Sequence, residues 1–150
     1  MFNFPVFLTL ENKDAVVIGG GKIAARKIHK LHAAAANITV IAPDLHADLK
    51  EMVQSGEIIW INDTCKPEHI ASAFMIVSAS GNKQAQEIIQ QSAASHQLIN
   101  GADNPSIGNV ALPASIENDD YHIAVSTRGK SPAKAKQLKH RLMDWLNDNR

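Results

Sequence analysis

A chain of 150 residues, 45% of them hydrophobic, can build one domain with a real core and a short appendage, which excludes wholesale disorder. Its formal net charge of zero argues against a general affinity for nucleic acid or an anionic membrane, and no apolar run reaches the roughly 18 residues of a membrane span. The apolar part of the N-terminus is too short, and too acidic behind it, for a signal peptide; the single Cys65 cannot form an internal disulfide, so a cytoplasmic setting is expected.

In chain order, FLTL and AVVIGG read as two strands around the polar turn ENKD, a possible hairpin. Lys22 to Ala35 follows as a helix with Ala24, Ile28, Leu31 and Ala35 on one stripe. ITVIA is a β-branched run suited to a strand buried on both faces. Asp44 to Gln54 reads as a helix, IIWIN as a strand, Lys66 to Ser72 as a helical turn, and FMIVSAS as a core strand. A helix from about Asn82 to Ser95, the short strand LIN and the turn-rich GADNPSIG complete the alternation. ALPASI and YHIAVST flank the turn ENDD and can pair antiparallel, and a last helix starts at Ser131-Pro132, a capping residue followed by a first-turn proline. The expected fold class is therefore α/β: a Rossmann-like, doubly wound, mostly parallel sheet with a small antiparallel and helical C-terminal segment. Residues 1–112 would form the dinucleotide-binding domain and residues 113–150 the appended segment.

The chemistry concentrates in three places. In AVVIGGGKIAARKI, Gly19, Gly21 and Ala24 fit G-x-G-x-x-G/A between a strand and a helix, and Gly20 loosens the loop further. Gly19 would allow the tight turn, Gly21 the approach of a pyrophosphate to the helix N-terminus, and Ala24 close helix–strand packing. Asp44 lies 20 residues beyond Ala24, the spacing at which an acid reaches the adenosine ribose; capping of the following helix is the equal alternative. No Arg follows it to take a 2′-phosphate, which favours NAD over NADP. The expected cofactor contacts are Gly19, Gly20, Gly21, Lys22, Ile23, Ala24, Asp44 and Ser80.

The second place is LINGADNPS, whose Asp103 would face the nicotinamide end of the crevice, although Asp-Asn-Pro is also ordinary turn chemistry. The third is STRGKSPAKAKQLKHRL. From Tyr121 to Met143 there are six Lys or Arg residues and no acid, a cationic segment suited to a small polyanion or simply a solvated basic helix face. His29 and His32 stand three apart on one helix without a third ligand in sequence reach, so no metal site is expected.

These features together resemble the precorrin-2 dehydrogenase (sirohydrochlorin synthase) family, whose domain also opens the multifunctional siroheme synthases. The likeness runs from FPVFLTLENKDAVVIGGGKIAARKI through ITVIAPDL, FMIVSAS, the N-x-x-D of Asn100 to Asp103 and Pro113-Ala114 to AVSTRGKSPAKAKQLKHRL. It implies NAD-dependent dehydrogenation of precorrin-2 to sirohydrochlorin in a homodimer. Asp103 would be the general base, and Asn100, Ser126, Thr127, Arg128, Gly129, Lys130 and Ser131 would lie on the tetrapyrrole side. Two other roles stay open: a bifunctional dehydrogenase and ferrochelatase, and a non-catalytic NAD-sensing module. The chain departs from the family in GNVALPA, which lacks the usual aromatic before Pro-Ala, in Ala79-Ser80-Gly81-Asn82, and at Arg128, where a small residue is common. Many members carry a further helical extension; here the sequence ends at Arg150 after one helix, which leaves a short member and a shortened one both open.

Overall fold

The computed structural model describes residues 2–149. Its contacts divide the chain into one unit of Val6–Val110 and a second of Met1–Pro5 with Ala111–Arg150.

The larger unit holds β1 (Asp14–Ile18), α1 (Lys22–Ala33), β2 (Asn37–Ile41), α2 (Ala47–Gln54), β3 (Ile59–Ile61), α3 (Pro67–Ile70), β4 (Met75–Ser78), α4 (Lys83–Ser92) and β5 (Leu98–Gly101), followed by a 3₁₀ turn at Pro105–Ile107. The five strands form one parallel sheet in the order β3-β2-β1-β4-β5, the expected doubly wound class. Val16, Ile18, Ile41 and Ile76 pack with Ile70, Ala85 and Ile89 on one face. On the other, α1 lies against β1 and β2 with Ala24, Ala25, Ile28 and Leu31 buried. Burial on both faces is why β1 and β4 read as unbroken apolar runs rather than alternating ones.

The expected strand FLTL does not form. β2 and β4 occupy both hydrogen-bonding edges of β1, so no edge is left for a hairpin partner. Val6, Phe7 and Leu8 are exposed instead. The helix ends also move. α1 stops at Ala33 because Ala35 adopts a left-handed backbone (φ 57°), and Ala36 rather than Ala35 is buried. α2 starts at Ala47 with His46 at the N-cap, so Asp44 does not cap it.

Gln97 pins the junction between α4 and β5 to the segment between α3 and β4. Almost fully buried, it donates from Nε2 to Ile70 O (2.7 Å) and Ala73 O (2.6 Å) and accepts from Ala94 N (2.8 Å). A buried amide tolerates this position because both its nitrogen and its oxygen are matched by backbone groups.

The smaller unit contains the antiparallel pair β6 (Ala114–Glu117) and β7 (His122–Val125), in register Ala114↔Val125 to Glu117↔His122, and α5 (Pro132–Asp148). Ser131 Oγ accepts from Lys134 N (3.2 Å) and Pro132 occupies the first turn, as expected. No described helix is long and apolar enough to cross a membrane.

Candidate active site

The strand order reverses direction between β1 and β4, so the loops leaving their C-terminal ends diverge and open a crevice. It measures about 450 Å³ and is bounded by Gly19–Gly21 after β1, Asp44 after β2, Thr64 after β3 and Ser80 after β4. The glycines are needed there for different reasons. Gly19 has φ +119°, and a Cβ on it would sit 2.6 Å from the Ala79 carbonyl oxygen. Gly20 has no room for a Cβ either, since one would collide with the carbonyl oxygen of Asp44 and lie 2.9 Å from Leu45 Cδ2. At Gly21 a Cβ would meet nothing within 4 Å. Gly21 is also the N-cap of α1 and offers no side-chain cap to the first amides of the helix.

An uncapped helix N-terminus with no acid in its first turn attracts an anion through its free N–H groups and dipole. Open space over Gly21, with close-packed backbone behind Gly19 and Gly20, therefore fits a dinucleotide pyrophosphate. Lys22 and Ile23 are exposed at the start of α1 and offer backbone amides rather than crevice-lining side chains. Ala24 is completely buried and acts in packing, as its place in the motif predicts.

Asp44 lines the crevice with a largely exposed carboxylate. Its Oδ1 accepts from Leu45 N (2.8 Å) and lies 3.5 Å from Lys50 Nζ. Asp63 and Thr64, which line the same end, were not singled out from the sequence, and Cys65 beside them was read only as a lone cysteine. The rule that drew attention to Asp44, that ligands gather at strand C-termini, applies equally to NDTC after β3. A hydrogen bond from Lys66 Nζ (2.6 Å), then one from Thr64 N, hold the Asp63 carboxyl below its usual range. Burial pushes the Cys65 thiol up, which keeps it protonated at neutral pH.

On the β4 side, Ala79, Ser80 and Asn82 line the crevice. Ser80 Oγ accepts from Asn82 N (3.2 Å), and Asn82 Oδ1 caps α4 at Ala85 N (3.1 Å). Between them Gly81, at φ +68°, donates its N–H to Asp103 Oδ2 (2.8 Å). Asp103 follows β5 in a turn anchored by Ala102 N and Asp103 N on the Ser78 carbonyl (2.9 and 3.2 Å). Its Oδ1 is buried and has no hydrogen-bond partner among the described residues. The Asn100 carboxamide turns inward: it is 6% exposed and donates to Val110 O (3.1 Å), and its Oδ1 is likewise buried and unpartnered.

The remaining predicted residues lie in the smaller unit and shape one another. Thr127 Oγ1 donates to Ser131 O (2.8 Å) and accepts from Ser131 N (3.1 Å). Lys130 N donates to Thr127 O (3.1 Å), and Ser126 Oγ accepts from Arg128 N (3.1 Å). Arg128 and Gly129 both take left-handed backbones, φ 57° and 78°, so the turn reverses within two residues and opens directly onto α5. Arg128 thus holds a backbone region that favours glycine.

Comparison with known proteins agrees with this geometry. The family described as "Putative NAD(P)-binding" matches residues 6–114. The precorrin-2 dehydrogenase of Bacillus subtilis (strain 168) is 34% identical over 134 residues, covering 89% of this chain and 83% of that protein. The siroheme synthase of Mannheimia succiniciproducens is 36% identical over 140 residues, which are 93% of this chain but only 29% of that protein. This chain thus spans about 30% of the length of the siroheme synthases it matches. Among solved structures, the precorrin-2 dehydrogenase SirC superposes with a TM-score of 0.86 at 30% identity, covering 95% of this chain and 70% of that one. Sequence and fold agree over nearly the whole chain, and the chain belongs to the precorrin-2 dehydrogenase family.

Proposed function

We propose that this chain catalyses the NAD-dependent dehydrogenation of precorrin-2 to sirohydrochlorin, with the larger unit binding the cofactor and the smaller one serving the tetrapyrrole and the dimer interface. The observation that carries the reading is the placement of Asp103: its carboxylate is bonded to Gly81, in the same loop that lines the crevice through Ala79, Ser80 and Asn82. When bound, NAD supplies a hydride acceptor. The backbone of Gly19–Ala24 would hold its pyrophosphate and Asp44 its adenosine ribose. Asp103 would take the proton that leaves the macrocycle with each hydride, so that two hydrogens are lost from the substrate and one is carried by the cofactor. Arg128 and Lys130, beside the N-terminus of α5, would meet the substrate's carboxylates, with Ser126, Thr127, Gly129 and Ser131 shaping that turn.

The smaller unit supports a homodimer. Among its described residues Val125 and Ala135 are buried apolar side chains, while Leu138, Met143 and Trp145 of α5 stay exposed, an apolar face that a second copy would cover. A cytoplasmic setting fits a chain whose single cysteine leaves no internal disulfide to form. The residue assignment is tested with Asp103→Asn. Turnover should fall about 100-fold or more, while NAD affinity stays near that of the parent. Full turnover would return Asp103 to the role of a turn residue.

A further inference from the structure

We infer that Gly81 is a positioning residue that aims the Asp103 carboxylate from the cofactor loop. The inference rests on the reading of Asp103 as proton acceptor and extends it to a residue that never touches the reacting atoms.

The short segment Ala79–Asn82 is held from two directions. At its start, Ala79 N donates to Ile18 O (2.8 Å), and the backbone of Ala79 and Ser80 runs so close to Gly19 that an added Cβ there would lie only 2.6–2.8 Å from it, so the segment is held beside the glycine loop. At its end, Asn82 Oδ1 is bonded to Ala85 N at the first turn of α4. Gly81 lies between these anchors with φ +68° and directs its N–H at Asp103 Oδ2, 2.8 Å away. The same carboxylate's Oδ1 is buried and unpartnered among the described residues, so the hydrogen bond from Gly81 is the one that fixes the rotation of the carboxylate plane. A carboxylate able to rotate would spread its lone pairs over many directions, and proton transfer depends steeply on alignment. The glycine loop thus sets the Ala79–Asn82 backbone, which sets the Gly81 amide, which sets the proton acceptor.

A Cβ at Gly81 would meet nothing within 4 Å, so a substitution there reports on backbone conformation and not on crowding. Asn tolerates a left-handed backbone and keeps the N–H; Val keeps the N–H but is driven out of that conformation and re-aims it. In the full-length protein, Gly81→Val should lower kcat about 10-fold or more with the Kd for NADH little changed, and Gly81→Asn should recover most of that loss. In an Asp103→Asn background, where the group being aimed is already disabled, Gly81→Val should cost no further kcat. Independently of activity, Asp103→Ala should speed hydrogen exchange at the Gly81 amide, because its acceptor is gone. Multiplying losses in the double variant, equal losses for Val and Asn, or unchanged exchange in Asp103→Ala would each overturn the inference while leaving Asp103 in place as base. Full turnover by Asp103→Asn alone would overturn the parent reading and the inference with it.

Discussion

The adjacent glycines Gly20 and Gly21 should respond in opposite ways to the same methyl group. At Gly20 an added Cβ collides with the Asp44 carbonyl oxygen and comes within 2.9 Å of Leu45 Cδ2 and 3.0 Å of Ala42 Cβ. All three neighbours belong to the segment leaving β2, which is itself tied back by the His46 N to Gly20 O hydrogen bond (2.7 Å), so it cannot yield without losing that bond. Overpacking of this kind costs about 1–3 kcal/mol, and at about 4 °C per kcal/mol for a chain of this size, Gly20→Ala should lower Tm by about 4–12 °C. Gly21→Ala meets open space and an ordinary φ of −86°, so its Tm should stay within about 2 °C of the parent. Its methyl group would stand where the pyrophosphate approaches, however, and should weaken NAD by about 10-fold or more, equivalent to about 1.4 kcal/mol. Thermal unfolding without cofactor, paired with NADH fluorescence titration, reads both quantities on the same samples. Parent-like NAD affinity in Gly21→Ala would remove the loop from the cofactor site. Parent-like stability in Gly20→Ala would show that the approach to Asp44 is not tight.

Arg128→Gly should stabilise the fold by about 0.5–1 kcal/mol, since it relieves a left-handed backbone at φ 57°, and yet weaken tetrapyrrole binding; binding equal to the parent would leave Arg128 without a role at the substrate. Gln97→Leu leaves Ile70 O, Ala73 O and Ala94 N without their side-chain partners and should cost about 3 kcal/mol or more in a denaturant titration; a loss under about 1 kcal/mol would contradict the pinning role. Cys65 should react slowly with iodoacetamide at neutral pH, its thiol being buried and held protonated, and more slowly still with saturating NAD. An alkylation rate indifferent to NAD would place Cys65 outside the occupied part of the crevice.

Local patterns carried the sheet, because a parallel strand buried on both faces leaves an unbroken apolar run that few other environments produce, as in β1 and β4. The same inference failed at FLTL, whose composition suits a strand but whose intended partner β1 was claimed on both sides by strands far along the chain. Pairing is decided by competition across the whole sheet, and no local window contains that information. Gly20 shows the complementary case. The loop pattern marked it as permissive, yet its need is set by the Asp44 carbonyl, which reaches it only once β2 is beside β1. The contact between Gly81 and Asp103 was invisible for the same reason: 22 residues separate them in sequence, and they meet because β4 and β5 are neighbours in the sheet. Ser131-Pro132 was legible in full, since a cap is satisfied within one helical turn.

The reaction itself is tested by an anaerobic incubation of the chain with enzymatically generated precorrin-2 and NAD, following NADH and the sirohydrochlorin spectrum together. Appearance of both in equal amounts, dependent on NAD and abolished by omitting the protein, is the predicted result. NAD bound with no NADH formed over many equivalents of precorrin-2 would contradict it and leave a dinucleotide-binding fold without the chemistry assigned to Asp103.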